Sequence, residues 1–138
     1  MKDDNCIFCK LAGGDIPTAT VYEDDLFRVV LDTNPASKGH ALVLPKDHYK
    51  DICGIDEELA GKAMVLAAKV GQAQMKALGS AGFNIVQNNG PAAGQTVFHL
   101  HIHVIPRYEG GPEMVCWEPG ISDPGELAST ASAIGEAM

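Results

Sequence analysis

The fold and the function are decided by one stretch, Gly94-Gln95-Thr96-Val97-Phe98-His99-Leu100-His101-Ile102-His103-Val104-Ile105-Pro106-Arg107. Three histidines alternate there with large aliphatic residues, and residues 97–105 contain no Gly or Pro. Alternation of period two predicts a β-strand that buries its apolar side. Because side chains at i, i+2 and i+4 share one face of a strand, we expect His99, His101 and His103 to point the same way, about 6–7 Å apart.

A simpler interpretation is a half-buried strand whose polar face happens to be rich in histidine. The chain has 5 histidines in all, and three of them fall between residues 99 and 103. That concentration favours a functional site, because neighbouring imidazoles on one face can attack and contact the same group.

The composition is that of one globular domain. The chain has 138 residues, of which 46% are hydrophobic and 20% charged, and no apolar run approaches the roughly 20 residues of a membrane span. Residues 1–5 are polar after Met1, so we expect a cytoplasmic protein. A net charge of −8 argues against a nucleic-acid polymer as partner, but backbone N–H groups and histidines can still hold a small phosphate ligand.

The rest of the chain predicts an α+β domain, residues 1–138, built on an antiparallel five-stranded sheet. A short N-terminal helix, a long helix and a C-terminal helix accompany the sheet. Asp56 and Gly79 bracket the long helix as N-cap and C-terminal stop, and Asp123 is the N-cap of the last one. The predicted helices are 6–11, 57–78 and one after Asp123, and the other predicted strands are 20–23, 27–31, 39–45 and 83–88.

The long helix carries an apolar stripe that predicts packing onto the sheet. Its members recur in steps of four and three residues, which places them on one helical face. They are Leu59, Ala63, Leu66, Val70, Ala73 and Ala77.

Four cysteines in a chain expected to be cytoplasmic do not predict a disulfide framework. Cys6 and Cys9 have C-x-x-C spacing, which fits a redox dithiol, a free pair or half of a zinc site. Cys53 and Cys116 stand alone, and each is expected to be a small, at least partly buried side chain.

Residues 99–105 resemble the signature of the histidine triad (HIT) family, His-φ-His-φ-His-φ-φ with φ apolar. The resemblance covers roughly residues 6–107, including Gly39-His40 and residues 94–97, and leaves 108–138 as a poorly covered tail. The N-terminal C-x-x-C is typical of bacterial members. The resemblance implies a HIT-like fold, a homodimer, and a nucleotide hydrolase or transferase that acts on the α-phosphate of a purine nucleotide.

The resemblance and elementary chemistry agree on His101 as the nucleophile. A neutral imidazole is nucleophilic near pH 7 when one nitrogen is free and the other donates its proton to an acceptor, which in the family is a backbone carbonyl. Attack on phosphorus gives a covalent nucleotidyl-histidine that water resolves. By resemblance, His103 donates to the phosphate oxygens, Thr96 assists the leaving group, and His40 lies near the nucleophile.

The same resemblance implies the nucleotide-binding residues. The loop Gly94 to Thr96 supplies backbone N–H groups, the Gln95 amide and the Thr96 hydroxyl, and Asn88 contacts the phosphate side. Asp32 matches the carboxylate that binds the ribose, although a loop cap would explain it too. The wall against the base consists of Ile7, Phe8, Leu11 and Val30, which could equally be plain core.

The resemblance also implies a structural zinc ion held by Cys6, Cys9, His48 and His99, which favours the zinc site over a bare dithiol. No cofactor is expected for the attack itself. Two substrate classes stay open: purine nucleoside phosphoramidates, and dinucleoside polyphosphates, whose enzymes share the loop pattern of residues 90–97. A nucleotide-binding module without catalysis is the third hypothesis, and the intact histidine set weighs against it.

Overall fold

The computed structural model describes residues 1–112, 114 and 117–138, so the expectation for Cys116 lies outside the described residues. Five strands form one sheet in the order β1-β2-β3-β5-β4, with every neighbouring pair antiparallel. This confirms the predicted α+β fold. In chain order the elements are α1 (Ile7–Gly13), β1 (Thr20–Glu23), β2 (Phe27–Leu31), β3 (Ala41–Pro45), α2 (Glu57–Leu78), β4 (Gly82–Val86), β5 (Ile102–Arg107) and α3 (Pro124–Ala137).

The helix ends follow the capping signals in the sequence. The Asp56 carboxylate accepts the Leu59 N–H at 2.9 Å, and Gly79 ends α2 in the left-handed region. The Asp123 carboxylate accepts the Glu126 N–H at 3.0 Å at the start of α3. Within the described residues, no helix is both long enough and apolar enough to span a membrane.

The two faces of the sheet are covered by different helices. On one face, α2 buries a core that includes Val43, Ile102 and Val104. On the other face, α1 covers a smaller core around Leu42 and Leu44. His103 lies between Ile102 and Val104 and pairs with Leu42, so alternation along β5 places its side chain on the α1 face.

The buried face of α2 differs from the predicted stripe in its second half. Ala73 and Ala77 are exposed, whereas Gly71 and Gln74 are buried. A Cβ at position 71 would lie 2.4 Å from the Phe83 ring, so glycine lets α2 approach β4 closely. The Gln74 amide donates to two backbone carbonyls, which makes a polar residue acceptable in the core. Hydrophobic periodicity could reveal neither contact.

The histidine strand begins later than predicted. β5 starts at Ile102, and residues 97–99 form a bend instead of extended strand. The Leu100 N–H donates to the Tyr49 carbonyl at 2.6 Å, which holds this segment against the loop after β3. The prediction that all three histidines share one strand face is therefore wrong, because two of them precede the strand.

Candidate active site and metal centre

His101 is oriented by a hydrogen bond within its own segment. Its Nδ1 lies 2.7 Å from the carbonyl oxygen of His99. A carbonyl can only accept, so Nδ1 carries a proton, and in the neutral ring the lone pair is therefore on Nε2. The ring is 7% exposed, and Phe8 packs edge-on against it at a centroid distance of 4.9 Å. The hydrogen bond and the Phe8 contact thus hold the ring in one orientation.

His40 and His103 form a chain of directed hydrogen bonds. The Ala36 N–H donates to Nδ1 of His40 at 3.0 Å, so a neutral His40 carries its proton on Nε2. That Nε2–H faces Nδ1 of His103 at 2.9 Å. Nδ1 of His103 therefore accepts, and its Nε2 carries a proton. His103 is thereby fixed as a hydrogen-bond donor.

Burial keeps both rings neutral. Desolvation, together with the neighbouring His101 and His40, lowers the pKa of His103 to about 4. The pKa of His40 is also lowered, mainly by burial and against the opposing attraction of Asp32. Asp32 Oδ2 lies 3.7 Å from His40 Nε2. The directed chain from Ala36 to His103 therefore persists at neutral pH.

These groups face a cavity of about 840 Å³. Most of the nucleotide-site residues predicted from the sequence line it together. They are Ile7, Phe8, Leu11, Val30, Asp32, Asn88, Gly94, Thr96, His101 and His103. His40 contacts His103 but does not line the cavity. Its place therefore suits a residue that positions His103.

Gln95 is placed differently from the other loop residues. Its side chain is 3% exposed, its Oε1 accepts the Gly90 N–H, and its Nε2 donates to the carbonyls of Lys50 and Val97. The amide is thus fully engaged inside the protein. Positioning of the loop is the role that the structure supports for Gln95, in place of a direct phosphate contact.

Several lining residues were missed by sequence reasoning. The cavity wall includes the segment 16–19, which connects α1 to β1, and Thr33 with Asn34 after β2. The signal that could have found the first segment is Ile16-Pro17, since the residue before proline is extended and carries the chain across the cavity mouth.

The four residues predicted as zinc ligands come together beside this cavity. Their ligand atoms all lie within 4.8 Å of one another. Nδ1 of His99 lies 3.5 Å from Sγ of Cys6 and 3.4 Å from Sγ of Cys9, and Nδ1 of His48 lies 3.4 Å from Sγ of Cys9. A tetrahedral zinc ion with ordinary Zn–S and Zn–N distances separates sulfur from nitrogen by about 3.5 Å. The spacing therefore fits the metal.

The protonation of His99 fits the metal as well. Its Nε2 lies 2.9 Å from the carbonyl of Pro45 and must donate, so the Nδ1 lone pair points at the two thiols. The ring is fully buried, which lowers its pKa to about 4 and keeps it neutral. Burial also raises the pKa of the Cys9 thiol. A bound metal would supply the charge that thiolates need there.

Comparison with known proteins places this arrangement in a family. The fold and site define an α+β protein with a histidine-lined cavity and an adjacent Cys₂His₂ cluster. The HIT domain family model matches residues 13–110. The chain is 49% identical to an uncharacterized HIT-like protein of Methanocaldococcus jannaschii, over 80% of this chain and 84% of that protein. The chain therefore belongs to the HIT domain family.

Two relatives carry the names of activities. One is an adenosine 5′-monophosphoramidase of Schizosaccharomyces pombe, 43% identical over 75% of this chain and 74% of that protein. The other is an adenylylsulfatase of Arabidopsis thaliana, 44% identical over 76% of this chain and 53% of that protein.

Solved structures agree with the fold. A HIT family member from Bacillus subtilis is 38% identical with a TM-score of 0.89, covering 98% of both chains. A zinc-bound histidine triad protein from Mycobacterium smegmatis is 34% identical with a TM-score of 0.77, covering 97% of this chain and 98% of that one.

Proposed function

We propose that this protein is a nucleotide hydrolase or transferase that cleaves the α-phosphate bond of purine nucleoside phosphoramidates or related esters and anhydrides of AMP. The observation that carries the proposal is the Nδ1–H hydrogen bond of His101 to the His99 carbonyl, which leaves Nε2 free beside the cavity. Family membership and the names of the two relatives with activities support the same class of reaction.

The reaction proceeds in two displacements. The lone pair on Nε2 of His101 forms a bond to the α-phosphorus, while the P–N or P–O bond to the leaving group breaks and the leaving group departs with its electron pair. An amine leaving group takes up a proton, and the Thr96 hydroxyl is the group assigned to assist it. Water then attacks phosphorus, the N–P bond breaks, and AMP and a proton are released.

The remaining side chains hold the substrate for these steps. His103 donates from Nε2 to the non-bridging oxygens, where charge builds up in the transition state. His40 keeps His103 in that orientation. Asp32 accepts from the ribose hydroxyls, Asn88 and the loop 94–96 face the phosphate, and the apolar wall holds the base.

The proposal includes a structural zinc ion on Cys6, Cys9, His48 and His99. The metal supplies charge for the thiolates and ties α1 to the segment of the nucleophile. We include a homodimer too, supported by the exposed apolar side chains of Met64 and Val65 on α2, and a cytoplasmic location.

The test is a substrate panel on the native protein. AMP release is followed with adenosine 5′-phosphoramidate and with diadenosine tetraphosphate, together with trapping of a covalent adenylyl-protein. We expect turnover of the phosphoramidate with the adduct on His101. Preferred turnover of diadenosine tetraphosphate supports the dinucleoside polyphosphate alternative. Tight AMP binding without turnover of either substrate contradicts the enzyme and leaves a binding module.

A further inference from the structure

A second depression adjoins the nucleotide cavity on the side of Thr96. Its volume is about 500 Å³, and it shares Ile7, Thr96 and Val97 with the nucleotide cavity. We call this second depression the Lys50 groove. Its lining residues are Asp3, Asn5, Cys6, Ile7, His48, Lys50, Thr96, Val97 and Phe98.

The shared residues define what enters the Lys50 groove. A nucleotide whose base packs on the α1 side and whose α-phosphate faces His101 and His103 fills the larger cavity. Thr96 lines both depressions, and it is the residue assigned to the leaving group. A substituent on phosphorus that extends past Thr96 therefore enters the groove.

Lys50 is held at the groove by the backbone. Its carbonyl accepts from the Gln95 amide at 2.7 Å, and the preceding carbonyl, of Tyr49, accepts the Leu100 N–H at 2.6 Å. Both bonds connect residues 49–50 to the catalytic loop and the histidine segment. The Lys50 ammonium lies 5.8 Å from the centroid of the Phe98 ring, which is within cation–π distance. The charge is thus positioned at the groove wall.

The groove is also lined by the carboxylate of Asp3 and by two members of the Cys₂His₂ cluster. Oδ1 of Asp3 accepts the Asn5 N–H at 2.9 Å within the N-terminal turn. Cys6 and His48 belong to the Cys₂His₂ cluster, which would be neutral overall with two thiolates on a zinc ion. Lys50 is the one Lys or Arg among the described residues that line the groove. Because the protein has a net charge of −8, this local cation attracts an anion to the groove rather than to the surface at large.

We propose that the Lys50 groove is the leaving-group subsite and that Lys50 accelerates turnover of those AMP anhydrides whose leaving group carries negative charge, such as sulfate, without assisting substrates with a neutral amine. This rests on the proposed function, because it assumes transfer of the nucleotide to His101. Lys50 contacts the departing oxyanion and stabilises the charge that it gains as the bond to phosphorus breaks.

The test compares two substrates that share the AMP moiety and differ in the leaving group: adenosine 5′-phosphosulfate and adenosine 5′-phosphoramidate. Lys50→Met keeps the length of the side chain and removes its charge. We expect kcat/KM to fall about tenfold for the phosphosulfate, as for loss of one charged hydrogen bond, and less than about twofold for the phosphoramidate. The matched control is Lys62→Met on α2, where the lysine pairs with Glu58 at 2.6 Å and lines neither depression.

The native protein separates the two proposals. If it turns over neither substrate, the proposed function fails. If it turns over the phosphosulfate or both substrates and Lys50→Met lowers the two rates equally or changes neither, the function stands and the subsite is overturned. Turnover of the phosphoramidate alone also overturns the assistance to anionic leaving groups. Ionic strength gives a second readout: native phosphosulfate turnover should fall more steeply with salt than that of Lys50→Met.

Discussion

Two histidine clusters flank His101, and similar side chains prepare opposite chemistry in them. One is the metal cluster, Cys6, Cys9, His48 and His99; the other is the relay cluster, Asp32, His40 and His103. Each brings its ligand atoms within 4.8 Å of one another. By proximity alone, both would be metal sites.

The difference lies in the backbone group on the far side of each imidazole. The Pro45 carbonyl accepts a hydrogen bond from Nε2–H of His99, so the lone pair of Nδ1 faces the thiols. The Ala36 N–H donates to Nδ1 of His40, so the Nε2–H of His40 faces His103. A metal ion in the relay cluster would meet that N–H. One backbone partner thus decides between holding a cation and donating to an anion.

Removal of the nucleophile should have the largest effect and leave both clusters intact. His101→Ala deletes the free Nε2, and we expect kcat to fall by about 10⁴-fold or more, as for loss of other covalent nucleophiles. AMP binding and metal content should stay close to native, because neither cluster uses the His101 ring as a ligand. AMP release at the native rate by the folded variant would contradict the mechanism.

Loss of the proposed zinc ion should disrupt the metal cluster and leave the relay cluster intact. Cys9→Ser replaces a buried thiol, and we expect metal analysis to fall from one zinc per chain to near zero and the Tm to fall by about 10 °C. Cys53→Ser is the matched control, since that thiol is free and exposed; the expectation from the sequence that Cys53 is at least partly buried is wrong. A native protein purified without chelators that contains no zinc would refute the site.

Removal of the relay donor should have a smaller effect. His40→Ala leaves His103 without its fixing partner, so we expect kcat to fall about 10- to 100-fold with zinc content unchanged. His40→Gln can still accept from Ala36 and donate to His103, and should recover part of the loss. Equal rates for the two variants would argue that His40 only fills space.

The sequence predicted the elements well because their signals are local. Caps such as Asp56 and Asp123 accept the N–H group three residues further along the chain, and the apolar runs of β2 and β3 reflect burial on both sides of the sheet. The start of β5 was missed because it depends on a bond from Leu100 to Tyr49, far away in the chain.

The site residues divide in the same way, into those with a signal in the sequence and those that depend on distant contacts. The identities of most lining residues followed from the family resemblance, which carries three-dimensional information that spacing lacks. The inward-facing amide of Gln95 and the proton direction in each cluster did not, because they depend on carbonyls and N–H groups of Pro45, Ala36 and Lys50. Backbone groups are alike in every residue, so a sequence does not mark which of them a side chain will meet.

Acid should unfold the protein partly through the relay cluster, because burial lowers the pKa of both of its imidazoles. The pKa of His103 is about 4 in the fold and about 6.5 in an unfolded chain, so the unfolded state binds more protons between these values. The free energy of unfolding should therefore fall as pH drops from about 6.5 to 4. Full conversion of the shift gives roughly 3 kcal/mol, and partial exposure reduces it to about half.

Comparison of the native protein with His103→Gln isolates this contribution from that of the metal cluster, which both proteins retain. Glutamine can accept from His40 but does not titrate, so urea unfolding of the variant should depend less on pH between about 6.5 and 4. His40 contributes to both profiles, because burial lowers its pKa too. Parallel profiles would mean that His103 takes up a proton in the fold as readily as in the unfolded chain. Its role as a neutral donor would then be wrong.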